Sequence, residues 1–230
     1  MNDYAKEVFS TMYKGFMVEG AKFCGEFDIP ECPCTATEIP SDLSFYYDDK
    51  IPANFNGFAH FYKDDYKFDR IWRYARTSLK RLKRFAGIIT PDFSTYQDMP
   101  VALKIYNTYR MRAFGYWLGT QGVKVINNVR WGTPESYQYC FDGIPQNSIV
   151  AVSTVGCIKT KDDERRFKDG LYVMIKRLNP SYILVYGKAG RDFFKKYMER
   201  GVQVKFYEQP DYHTFTTIET TTIMKARKFV

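Results

Sequence analysis

Four stretches of this sequence set polar, aromatic and glycine residues directly behind short apolar runs. Pro91-Asp92-Phe93-Ser94 follows FAGIIT, and Arg130-Trp131-Gly132 follows VKVINNV, which itself ends in Asn127, Asn128 and Val129. Thr154-Val155-Gly156-Cys157 follows SIVAVS, and Gly187-Lys188 follows YILVY. A carboxylate such as Asp92 in a sheltered cleft suits a general base or a contact to a substrate hydroxyl, with Ser94 beside it as a further ligand contact. An Asp there equally closes a turn through its own backbone. Arg130 can grip a phosphate or carboxylate with two parallel bonds, and Trp131 can stack on a base or sugar. Their plainer roles are an Arg–Asp pair, with Asp142 as partner, and a Trp that closes the core. Asn128 suits orientation of a polar ligand or a turn. Ser153, Thr154 and Gly156 resemble a small anion-cradling loop, although neither Gly-x-x-x-x-Gly-Lys nor Gly-x-Gly-x-x-Gly is present. Cys157 as a nucleophile needs a neighbouring base, and neither His60 nor His213 is placed there by the sequence.

Two further clusters bear on metals. HFYKDDYKFDRIW gathers His60, Asp64, Asp65, Asp69 and Arg70. Carboxylates with a histidine can hold a divalent cation, but such a run is also the ordinary start of a helix, where acids are favoured. Cys24, Cys32 and Cys34 lie in FCGEFDIPECPC without a Cys-x-x-Cys pair or a nearby histidine, so they read as free thiols rather than a zinc or iron–sulfur site. No metal and no particular cofactor is assigned.

The stretch after the acidic run carries Arg70, Arg73, Arg76, Lys80, Arg81, Lys83 and Arg84. Arg73, Arg76, Lys80 and Arg84 recur at helical spacing, which makes one face basic. That face is either a solvated outer surface or a track for nucleic-acid phosphates.

Strands and helices must hold these residues. Residues 1 to about 20 show helical spacing of Tyr4, Val8, Phe9, Met12, Tyr13 and Phe16. Residues 21–56, with Pro30, Pro33, Pro40 and Pro52, read as an extended wrap. From residue 57 strands and helices alternate: strands at 57–62, 85–90, 123–129, 148–153, 182–186 and 202–207, helices at 66–84, 98–121, 162–178 and 192–200. Asp98 is the expected cap of the second helix, whose buried face is expected to be Ala102, Ile105, Tyr109, Ala113 and Tyr116. This order predicts an α/β fold with a mostly parallel sheet of about six strands covered by helices. An open three-layer sandwich is the first expectation and an incomplete TIM-like barrel the alternative. In either, ligands bind at the carboxyl ends of the strands, where the four polar stretches lie. The chain reads as one domain: helix and wrap at 1–56, the βα core at 57–207, and a Thr-rich tail at 208–230 that is either an edge strand or a loose end.

The chain has 230 residues, 45% hydrophobic and 26% charged, which excludes wholesale disorder. It carries 19 Tyr and 19 Phe but few leucines, so its core must be built from rings. The longest aliphatic run is Ile149 to Val152, far short of the ~20 residues of a membrane helix. The N-terminus has no apolar core of a signal peptide, so a cytoplasmic location without membrane contact is expected. The net charge of +8 suits a polyanionic partner.

The motifs GIITPDFSTYQDMP, NTYRMRAFGYWL, VINNVRWG, FDGI and STVGCIK resemble those of a bacterial and phage family known as domain of unknown function 4417. The likeness spans about residues 57 to 190, and the N-terminal cysteines fall outside its pattern. Asp92, Ser94, Asn107, Arg110, Asn128, Arg130, Trp131, Gly132, Phe141, Asp142, Gly143 and Gly156 match it. The resemblance implies a phage or mobile-element source and brings no established activity. Three readings follow. The first is a rim that binds a phosphate-bearing or nucleotide-like ligand, with room for hydrolase or transferase chemistry. The second is a nucleic-acid-binding accessory protein that uses the basic helix. The third is a non-catalytic partner of a host protein.

Overall fold

The computed structural model describes residues 2–47 and 54–208. The Thr-rich tail from residue 209 and residues 48–53 of the wrap lie outside them. A short helix, α1 (Asp3–Thr11), starts the chain, with Asn2 accepting from the Ala5 N–H as its cap. A small antiparallel hairpin follows, β1 (Phe23–Cys24) and β2 (Ile29–Pro30).

The main sheet has seven strands: β3 (Leu43–Phe45), β4 (Phe58–His60), β5 (Gly87–Ile89), β6 (Val125–Asn128), β7 (Ile149–Ser153), β8 (Tyr182–Tyr186) and β9 (Val204–Tyr207). They lie side by side in chain order and every pair is parallel. This is the α/β parallel sheet that the alternation predicts, with one strand more. The extra strand, β3, comes from the Pro-rich wrap, whose Leu-Ser-Phe is too short to show a period of its own.

An order without reversal has no switch point, and the sheet curls into a half-barrel. The curl is visible in the side chains. Tyr186 on β8 meets His60 at the end of β4 with ring centroids 4.2 Å apart, and stacks on Tyr62 at 5.2 Å. The incomplete barrel is therefore the form this α/β fold takes.

Strand alternation divides the core between two faces. On β7 and β8, Val150, Val152, Ile183 and Val185 pack beneath the helices, while Ile149, Ala151, Leu184 and Tyr186 face the concave side. The outer layer is α2 (Arg70–Arg73), α3 (Ala75–Leu82), α4 (Val101–Thr120), α5 (Lys161–Leu178) and α6 (Asp192–Met198). The wrap helps fill the concave side. Thr35 Oγ1 accepts from the Val125 N–H at 2.8 Å, Ala36 joins the inner core, and the Pro40 carbonyl accepts from Lys205 and the Tyr207 hydroxyl.

Three helix expectations need correction. The single helix at 66–84 is broken: a short 3-10 turn at Asp65–Lys67 precedes α2, and Tyr74, at φ −123°, separates α2 from α3. Asp98 does not cap α4, because the N-cap position belongs to Pro100 and no side chain bonds there. The buried face of α4 is only in part the one expected: Ala113 is buried, together with Phe114, Trp117 and Leu118. Ala102 is exposed and Ile105, Tyr109 and Tyr116 are half-buried, while Lys104, Asn107, Thr108, Met111 and Arg112 are buried. These polar groups are satisfied by carbonyls: Lys104 by Gln97, Thr108 by Lys104, and Asn107 by Ser94. Their burial costs little once bonded. The end of α4 does follow the sequence, with Gly122 at φ +79° turning the chain. α5 keeps the expected span of 162–178 to within one residue; it opens on a Thr160–Asp163 capping box and closes on left-handed Asn179.

Candidate functional site

The carboxyl ends of β4 to β7 converge on one polar cluster. Asp92, five residues after the start of β5, accepts from the Asn128 side-chain amide at 2.8 Å and faces Arg130 NH1 at 3.3 Å. The same NH1 lies 2.9 Å from the Cys157 sulfur. Tyr62, at the end of β4, is buried within electrostatic reach of Asp92, Arg130 and Cys157. Three loops distant in sequence are thus joined through one guanidinium. Arg130 does pair with an aspartate, but with Asp92 rather than Asp142.

Burial sets the charges here. It raises the Asp92 carboxyl above its ordinary value, against the pull of Arg130 and Asn128. It likewise raises the Cys157 thiol, which Arg130 only partly offsets, so this sulfur is held as a thiol rather than an activated thiolate. Tyr62 is pushed up by burial and by the Asp92 charge. Burial alone would lower Arg130, but the facing Asp92, with Cys157 and Tyr62, outweighs it and holds the guanidinium charged.

Beside this cluster opens a cleft of about 150 Å³ lined by Thr95, Tyr96, Arg130, Trp131, Gly156 and Arg166, among others. Arg166 reaches it from the first turns of α5, where it pairs with Asp162 and Asp163 at 3.2 and 2.8 Å. Of the sequence candidates, Arg130, Trp131, Gly132, Ser153, Gly156 and Cys157 line the cleft. Asp92 and Asn128 stand behind Arg130. Ser94 is turned away, its backbone N–H and hydroxyl both donating to Asp65. The Thr154 N–H and hydroxyl donate to the Tyr186 carbonyl. Trp131 is half-buried between the cleft and the core, its ring 5.1 Å from Phe167 and pressed on Gly170, where any Cβ would collide with it.

The loop after β5 is pinned from outside as well. Asn107 donates to the Ser94 carbonyl, and Arg110 donates to Asn107, pairs with Asp69 and lies 3.8 Å above the Phe93 ring. Arg112, fully buried on α4, donates to the carbonyls of Asn128, Cys140 and Asp142 at 3.0–3.1 Å. It fixes the loop that carries Arg130.

The suggested metal clusters do not assemble. Asp64 pairs with Lys67, Asp65 serves Ser94, and Asp69 serves Arg73 and Arg110. His60 is buried among rings and pushed down to about 3 by that burial, with Lys63 adding to it. Cys32 packs in the core beneath α4, Cys34 on the concave side, and Cys24 against Gly143. Among the described residues no three His, Cys, Asp or Glu side chains come together.

The four basic positions of the helix are all exposed: Arg73 on α2, Arg76 and Lys80 on α3, and Arg84 just beyond it. They lie on the outside of the half-barrel and not at the cleft.

Tyr62, Tyr96, Arg112 and Arg166 were not singled out by sequence. The rule that reads strand ends covers Tyr62, two residues past β4. No such rule reaches Arg112 and Arg166, which project from helices.

The profile of the family described as Domain of unknown function (DUF4417) matches residues 21–208. The chain belongs to this family. The match is longer than the motifs alone suggest, and it takes in the segment with Cys24, Cys32 and Cys34. The chain is 34% identical over 165 residues to the Gene 1 protein of Mycobacterium phage D29, covering 70% of this chain and 61% of that protein. It is 39% identical over 136 residues to the Gene 1 protein of Mycobacterium phage L5, covering 59% of each. It therefore spans about three fifths of the length of these relatives. No solved structure matches. The family thus includes phage proteins, and its description assigns no function. Among the described residues no helix is long and apolar enough to cross a membrane.

Proposed function

We propose that this protein binds a small phosphate-bearing molecule at the carboxyl ends of β5, β6 and β7, with Arg130 as the anion contact. The observation that carries this reading is the placement of Arg130, a guanidinium held by Asp92 at the wall of the cleft. Arg130 spends NH1 on Asp92 and Cys157, which leaves two nitrogens of its fork for a ligand in the cleft it lines.

Size sharpens the ligand class. About 150 Å³ is below the ~300–1,000 Å³ that enclose a drug-sized molecule. A phosphate fits, and the rest of a nucleotide would lie outside. Tyr96 lines the cleft and is 57% exposed, so it is the better stacking surface for a base than Trp131. Asp92 has both carboxylate oxygens occupied. Its role in this reading is to hold Arg130 rather than to abstract a proton.

The test is mass spectrometry of small molecules released from the purified protein, beside Arg130→Ala and Asp92→Asn variants shown to be folded by circular dichroism. A phosphate compound present in the parent and lost from both variants is expected. The same compound retained at equal occupancy in Arg130→Ala would overturn the assignment.

A further inference from the structure

The net charge of this chain is concentrated in one place. Residues 70–84 contain seven Lys or Arg and no Asp or Glu, against a net charge of +8 for all 230 residues. We propose that the outer face of α2 and α3 is a binding surface for single-stranded nucleic acid, separate from the strand-end cleft.

The core fixes this face in orientation. Ile71, Trp72, Ala75 and Leu82 are buried, so Arg70, Arg73, Arg76, Lys80, Lys83 and Arg84 stand exposed on the other side. Several of these cations are already held, Arg73 by an ion pair with Asp69 at 2.7 Å. Arg76 lies 4.3 Å above the Phe16 ring, Arg84 3.9 Å above Phe55, and Arg70 5.4 Å above Tyr74. A guanidinium seated on a ring keeps its N–H groups for phosphate oxygens, and less side-chain entropy is lost when a phosphate arrives. The break at Tyr74 replaces one continuous helical track with two short ones that meet at an exposed ring.

Aromatic surface lies on the same side. Tyr74 is 56% exposed between Arg73 and Arg76. Lys14 donates to the Arg73 carbonyl at 3.3 Å, which brings exposed Met12 and Tyr13 at the end of α1 beside α2. Cations with part-exposed rings between them match a strand whose bases are unstacked, because its phosphates meet the charges and its bases lie on the exposed ring surface. A duplex keeps its bases stacked and would use only the cations.

The magnitude follows from the number of cations. If about three meet phosphates, log K falls against log salt with a slope of about −2 for a single strand. The experiment is fluorescence anisotropy of a labelled oligothymidylate of about 12 nucleotides, with the full chain, across a salt series. Binding with about that slope is expected. It should weaken at least tenfold in Arg73→Gln/Arg76→Gln/Lys80→Gln and about tenfold in Tyr74→Ala. A variant with the same charge loss elsewhere, Lys176→Gln/Lys195→Gln/Arg200→Gln, should bind as the parent does. No binding at low salt, or equal loss in both triple variants, would overturn the surface. A duplex bound as tightly as the single strand, with Tyr74→Ala unchanged, would overturn the single-strand assignment.

Discussion

Arg112 is the residue whose removal should cost this fold most for its size. Its guanidinium is fully buried and donates to three main-chain carbonyls, Asn128 at 3.1 Å, Cys140 at 3.0 Å and Asp142 at 3.0 Å. Replacing it with Met keeps much of the volume and removes every donor. Each orphaned carbonyl costs roughly 1–3 kcal/mol. Relief of the charge's own desolvation, several kcal/mol per buried ion, works the other way. The net expectation is a loss of about 3–5 kcal/mol, a large share of the ~5–15 kcal/mol that holds a domain together. For a chain of this size about 2–4 °C of Tm accompanies each kcal/mol, so ~3 kcal/mol lowers Tm by about 6–12 °C. Urea unfolding followed by circular dichroism measures it directly. Arg112→Lys, with one compact head for three acceptors, should fall between parent and Met. The loop that Arg112 pins also carries Arg130 and Trp131, so the Trp emission of folded Arg112→Met should shift as well. A loss below about 1 kcal/mol would refute the claim that these three bonds fix the loop.

Other outcomes follow from the same geometry. Gly170→Ala sets a methyl against the Trp131 ring, and should cost about 1–3 kcal/mol by overpacking and shift Trp fluorescence; an unchanged spectrum would mean that the ring has room. Thr160→Ala removes the capping box of α5 and should cost about 1 kcal/mol in chemical denaturation. His60 is neutral in the folded state, pushed down to about 3 by burial from an ordinary 6.5. The unfolded chain takes up a proton as pH falls below 6.5 and the folded one does not, so His60 withdraws stability between about pH 6.5 and 3, by at most about 1.4 kcal/mol per pH unit. The acid limb of a stability–pH curve should be shallower in His60→Gln, and an identical limb would contradict this assignment.

What the sequence shows of the fold depends on where the apolar side chains carry the pattern. β7 and β8 are unbroken hydrophobic runs because both their faces are covered, and the helical spacing at 162–178 marks α5 to within one residue. β3 is three residues inside a Pro-rich stretch, and only its partner β4 makes it a strand. The face of α4 is hidden for a different reason. Beside Met111, Ala113, Phe114, Trp117 and Leu118 its buried side holds Lys104, Asn107, Thr108 and Arg112, each satisfied by main-chain carbonyls, and hydrophobic periodicity does not register those polar positions. At the site, strand ends bring Asp92, Asn128, Arg130 and Cys157 into one cluster, as connectivity requires. The inward turn of Ser94 toward Asp65 and of Thr154 toward Tyr186 depends on side-chain choices that no spacing encodes.

The central claim is a phosphate contact at Arg130, and calorimetric titration with a nucleoside monophosphate tests it most directly. The parent protein should bind, Arg130→Ala should bind at least about tenfold more weakly, and Tyr96→Ala should lose preference for the nucleotide over inorganic phosphate. Equal affinity in the parent and a folded Arg130→Ala variant, or no heat from either phosphate probe with the parent, would contradict the account.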